Sequence, residues 1–166
     1  MRETPSTRKI LPAPLRGTLS GGQTESMTTK DYLKQQLDDA GHQVDAVFAG
    51  LTEEQWDARV VAEAMSPRET AEHLAECYVA LQDEAQGRKH DWGSYSAPDK
   101  SGDALIANLK AERARAEELT LASDDPGVWA MASSFVALHD AYHVGQMVTL
   151  RLTLGDFNPY SIYKGH

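Results

Sequence analysis

Leu138-His139-Asp140-Ala141-Tyr142-His143-Val144-Gly145-Gln146-Met147 is the stretch on which the fold turns. Read as the middle of a helix, it stacks His139 and His143 one turn apart on the same side. Their Cβ atoms would lie roughly 5–6 Å apart, so both rings can reach a single ion. Gln146, three residues on, shares that side, as do Phe135, Val136, Met147, Leu150 and Leu154, the apolar stripe expected to face a core. Polar rings in such a stripe need a reason. A buried imidazole left without a partner costs about 1–3 kcal/mol, so it is hydrogen-bonded or it holds a metal.

Outward from this stretch the helical period recurs. The fourth helix should start between Val128 and Ser134, after a turn at Asp124-Asp125-Pro126-Gly127, and run to Leu154, where Gly155 closes it. A third helix opens at Ser101 or Gly102 and continues to about Leu119 with Leu105, Ile106, Leu109 and Ala116 inward. Its run Glu112-Arg113-Ala114-Arg115-Ala116-Glu117-Glu118 reads as a solvated face of mixed charge. Before it, residues 87–102 form a long connection holding His90 and Trp92. Fully extended, such a segment can span the roughly 30 Å of a twenty-residue helix, so the third helix need not run antiparallel to the second.

The second helix carries the clearest start signal. Ser66-Pro67-Arg68-Glu69 offers a capping serine, proline at the first helical position and a glutamate that completes a capping box. The helix should run to about Gln86, burying Thr70, Leu74, Cys77, Tyr78 and Leu81. His73 lies at the margin of that face with Glu76 beside it on the more polar side. The first helix, from about Thr29 to Ala49, is set by Tyr32, Leu33, Leu37, Ala40, Val44, Val47 and Phe48 at steps of three and four. Gly41 weakens it slightly, His42 falls off the stripe, and Trp56 in the following connection folds back onto the core. Four amphipathic segments with almost no strand signal predict an all-α four-helix bundle, whose usual place for a metal is the core between facing helices.

Composition narrows the partners. The chain has 166 residues, enough for one domain with a real core. A net charge of −9 argues against sequence-independent nucleic-acid binding and suits a cation or a small molecule. No apolar run reaches membrane-spanning length. The single cysteine, Cys77, cannot form an internal disulfide, which fits a reducing, cytoplasmic setting. Residues 1–26 differ from the rest. They hold Arg2, Arg8, Lys9 and Arg16 against two glutamates, are rich in Ser, Thr, Pro and Gly, lack periodicity and contain no secretory apolar run. They read as a disordered tail, with the folded domain opening at Met27.

The His139–His143 pair is a poor match to a zinc-protease His-Glu-x-x-His, because Asp140 stands where the general-base glutamate belongs. Met65-Ser66-Pro67 leading into Ala71-Glu72-His73-Leu74, followed by Leu138-His139-Asp140-x-x-His143-x-Gly145-Gln146, instead resembles the DinB/YfiT-like family of metalloenzymes across roughly residues 29–155. The resemblance implies an up-down-down-up bundle filling residues 27–166. It also implies a divalent metal held by His73, His139 and His143, and a homodimer. Relatives of this kind include transferases and isomerases that use low-molecular-weight thiols.

Three neutral imidazoles with one position left free make the open type of zinc centre, able to lower the pKa of water or of a substrate thiol. Imidazoles suit Zn, Ni, Fe and Cu, with Zn or Ni the first expectation. Gln146 and Glu76 are the candidates to orient the ligand rings, Gln146 by its amide and Glu76 toward His73; each also fits a plain structural role. Cys77 reads as a small buried residue, or as a soft extra ligand if it turns inward. A small-molecule substrate acted on by a metal-dependent transferase or hydrolase is the leading reading. A non-catalytic metal-binding or stress-response module on the same bundle is the alternative.

Overall fold

The computed structural model describes residues 26–155 and 157–164; all but the last residue of the expected tail 1–26 lies outside them. Helix α1 spans Thr29–Phe48 and α2 Pro67–Ala85; both open on a full capping box, Thr28 with Asp31 and Ser66 with Glu69. Helix α3 spans Gly102–Ala122. The last rod is α4 (Pro126–Met131), a six-residue π-helical stretch (Ala132–Ala137) and α5 (Leu138–Leu154). Among the described residues there is no strand, and no helix is long and apolar enough to cross a membrane.

Cross-helix bonds fix the directions of the rods. Lys30 at the start of α1 pairs at 2.7 Å with Asp124 just past the end of α3, so these two run antiparallel. Helices α2 and α3 run parallel: Arg68 at the start of α2 donates to Lys100 O beside the start of α3, and Gln82 Nε2 near its end donates to Glu112 O at 3.1 Å. The last rod runs with α1, because Ser133 Oγ reaches Gln36 Oε1 at 3.2 Å while Arg151 Nη1 donates to Val47 O at 3.1 Å and Ala49 O at 2.9 Å. Up-down-down-up follows, with residues 86–101 as the long return. The Arg151 guanidinium satisfies carbonyls that the end of α1 leaves open, a cationic C-cap supplied from another helix.

Several local expectations are corrected. Asp124-Asp125-Pro126-Gly127 is a helix start rather than a plain turn: Asp125 Oδ1 accepts from Gly127 N at 2.8 Å and Pro126 takes the first helical position. Helix α3 runs one turn past Leu119. Within its charged run, Arg113 turns inward, donating from Nη1 to Gly41 O at 3.1 Å and from Nη2 to Asp45 Oδ1 at 2.9 Å. Gly41 is the room for it, since a Cβ there would meet Arg113 Nε at 2.8 Å. His42 is partly buried, with Nε2 shut away from solvent. At the C-terminal end Phe157 and Ile162 pack on the core, while Tyr160 and Tyr163 stay exposed.

Candidate functional site

The α2–α5 seam brings together what the sequence separates by sixty-six residues. His73 Nε2 lies 3.3 Å from His139 Nε2, and His143 Nε2 lies 3.1 Å from the same atom. The three rings stand edge to face, with interplanar angles of 85°, 81° and 71°. One ligand atom from each of the three residues falls within 4.8 Å of the others, a cluster able to hold one metal ion.

Local structure explains the convergence. Antiparallel packing of α2 on α5 sets Tyr78 opposite Asp140, so that five residues earlier in α2 His73 meets the His139–His143 pair. The π-helical stretch just before α5 widens the rod at Phe135, whose ring stacks on His139 at 5.7 Å and 12°. The Tyr142 ring also lies nearly parallel to His139, at 6.4 Å and 8°. Trp92, from the long return, leans edge-on against Phe135 at 5.7 Å. Thus His139 lies nearly parallel to two neighbouring rings, and the return packs through Trp92 against one of them. A π-bulge beside a functional cluster is a recurrent arrangement.

Electrostatics favour neutral imidazoles. Burial, then the neighbouring His139 and His73 rings, push His143 down to about 4, with Gln146 pulling slightly the other way. Burial and the adjacent His73 lower His139 as well. A metal needs such deprotonated ligands. The nitrogens also suit an ion better than they suit one another. An imidazole nitrogen carries one in-plane donor or acceptor site, yet His139 Nε2 faces two neighbours at hydrogen-bond distance. For metal–nitrogen bonds of about 2.0–2.1 Å, the edge of a tetrahedron is about 3.3–3.4 Å. The observed 3.1 and 3.3 Å fit that edge closely.

The other candidates fall in different places. Gln146 is exposed, and its amide nitrogen donates to Tyr142 Oη at 2.8 Å, so it steadies the ring that lies parallel to His139. Glu76 is turned to the long return: its Oε1 accepts from Gly93 N at 2.5 Å and lies 3.6 Å from His90 Nε2, in place of the expected approach to the His73 ring. His90 is tied down too, its Nδ1 2.8 Å from Asp83 Oδ2. Cys77 does turn inward. Its buried Sγ sits 3.6 Å from His139 Nδ1 and 4.0 Å from His73 Nε2, and burial, with Asp140 and Glu76 nearby, pushes the thiol up to about 12.

Asp140 is the buried carboxylate beside the cluster that spacing alone undervalues. Only 1% of it is exposed, Oδ2 accepts from Tyr78 Oη at 3.0 Å, and Oδ1 has no partner; burial pushes its carboxyl up to about 7. The signal was present: Asp140 sits four residues after Val136 and four before Val144, both buried.

The chain matches the DinB superfamily over residues 36–147, a span that contains all three histidines and Gln146. No curated protein and no solved structure matches it. Match, bundle and histidine cluster agree: the chain belongs to the DinB superfamily.

Proposed function

We propose that this protein is a metal-dependent enzyme that holds one divalent ion, Zn or Ni, through Nε2 of His73, His139 and His143, and acts on a small molecule with a thiol or water as nucleophile. The observation that carries the reading is the meeting of three histidines inside a bundle seam, with His139 Nε2 at tetrahedral-edge distance from Nε2 of both His73 and His143 and all three within 4.8 Å of one another. When bound, such an ion supplies a Lewis acid that lowers the pKa of a thiol or water.

The chain's own residues do the rest. Phe135 and Tyr142 lie nearly parallel to the His139 ring, and Gln146 holds Tyr142. Cys77 Sγ occupies the Nδ1 side of His139, which leaves Nε2 for the centre of the cluster. Trp92 packs edge-on against Phe135 beside His139, while Tyr142 and Gln146 face solvent, where a substrate can enter. The clearest candidate for a nucleophile is a low-molecular-weight thiol, which an open three-histidine centre accepts directly.

One observation favours the non-catalytic module. Cys77 Sγ is close enough to His73 that a side-chain rotation would add a fourth protein ligand and leave no free position. The two readings separate in one assay. Metal-loaded protein is given glutathione and an activated aryl halide, and thiol consumption is followed with and without chelator. Metal-dependent turnover that disappears in His73→Ala, His139→Ala and His143→Ala supports the enzyme. Full metal content with no thiol-dependent or hydrolytic turnover supports the module, and unchanged metal content in all three variants rejects the site.

A further inference from the structure

One helical turn from the histidines, along both α2 and α5, lies a groove of about 240 Å³. On α2 it reaches Thr70, three residues before His73; on α5 it reaches Gln146, Met147 and Leu150, the turns after His143. Val60, Val61 and Met65, all exposed, form its outer wall from the connection that leads into α2. No side chain lining it is charged. In a chain of net charge −9 with 25% charged residues, an uncharged concave strip beside a polar cluster is a selective feature. The groove falls below the roughly 300–1,000 Å³ of sites that enclose a whole drug-sized ligand, so it takes one arm of a molecule rather than all of it.

We infer that the substrate carries an uncharged apolar arm, an alkyl or aryl group of about four to six carbons, which lies in this groove while its reacting end reaches the three histidines. Gln146 links the two places, since it lines the groove and also holds Tyr142 beside His139. The arm rests on Met147 and Leu150, and methionine adapts to alkyl or aryl shapes alike. Charged arms are disfavoured because nothing in the lining pairs with them. The groove itself follows from geometry alone; only the placement of the reacting end rests on the function proposed above.

Methionine-methyl NMR of the full chain tests both halves. Met65 and Met147 report on the groove, and Met131, on α4 outside its lining, serves as the control. Titration with 1-hexanol is expected to shift the first two saturably and not the third. Affinity should rise by up to about fourfold per methylene from propanol to hexanol. Val61→Asp, at a position 56% exposed where the fold tolerates a charge, should weaken hexanol at least about tenfold. With zinc-loaded protein, 1-hexanethiol should bind at least about tenfold more tightly than hexanol, a gain that vanishes in His139→Ala while hexanol binding persists. No saturable shift at Met65 and Met147, or a shift indifferent to Val61→Asp, overturns the inference. So do shifts that follow protein concentration and exclude hexanol, which assign the groove to a second copy of the chain. Equal affinity for thiol and alcohol in protein that carries its metal also overturns it and leaves the metal site standing. Hexanol binding in protein that takes up no metal instead overturns the function proposed above.

Discussion

His139→Ala is expected to lower affinity for Zn(II) by well over about 100-fold while leaving the bundle folded. Changes to groups that merely orient a ligand already cost about 10–100-fold, and this change removes a ligand outright. Among the three histidines His139 should give the largest loss, because its Nε2 makes both short contacts of the cluster, at 3.3 Å to His73 and 3.1 Å to His143. The ring is only partly buried, beside Phe135 and Tyr142, so its removal leaves a gap open to solvent rather than a sealed cavity. Competition against a chromophoric chelator reads the affinity, and far-ultraviolet circular dichroism reads the fold. A loss of less than about fivefold in folded protein would remove His139 from the ligand set.

The second large effect concerns stability. Trp56→Ala is expected to cost about 3–5 kcal/mol, the range for emptying a large aromatic site in a core. For a domain stable by about 5–15 kcal/mol, that is a large fraction of the whole. Trp56 sits in a single helical turn between α1 and α2, is 1% exposed, and stacks on Phe48 at 5.5 Å and 8°. Its indole also fills the space at the first residue of α3, where a Cβ on Gly102 would fall 2.1 Å from Nε1. The same residue therefore joins the end of α1 to the start of α3. Gly102→Ala should destabilise by the same route, by about 1–3 kcal/mol as an overpacked contact. Urea unfolding followed by circular dichroism measures both. Two variants within about 0.5 kcal/mol of the parent would show that this junction is not a core contact.

What was legible in the sequence follows the range of the forces involved. Capping boxes act within four residues, so Ser66-Pro67-Arg68-Glu69 announced the start of α2 correctly, and the stripes of α1 and α3 needed only their own periods, except that Tyr32, read into the α1 stripe, is exposed. The length of the return at 87–102 allowed α2 and α3 to run parallel, as they do. The resemblance placed His73 with His139 and His143, and the structure brings those three rings together.

Tertiary context carried what the sequence hid. Asp140 was read only as the residue that stands where a zinc protease has its general-base glutamate, because the partner that accompanies its burial, Tyr78, lies on a different helix. Arg113 looked solvated because its acceptors, Gly41 O and Asp45, belong to α1. Gly41 looked like a weak point in a helix, when it is the space that lets Arg113 approach. Glu76 was read beside His73, its neighbour one turn away, but the return brings Gly93 and His90 to it. The π-helical stretch has no sequence signature that a 3.6-residue period detects, although it sets Phe135 against His139.

X-ray absorption at the zinc edge of the wild-type protein, loaded with one equivalent of Zn(II), reads the coordination shell of the three-histidine centre itself. The expected shell is three imidazole nitrogens at about 2.0–2.1 Å, one further light-atom ligand, and no sulfur in the absence of added thiol. A sulfur at about 2.3 Å would show Cys77 closing the site, and a shell without imidazole scattering would contradict the three-histidine centre altogether.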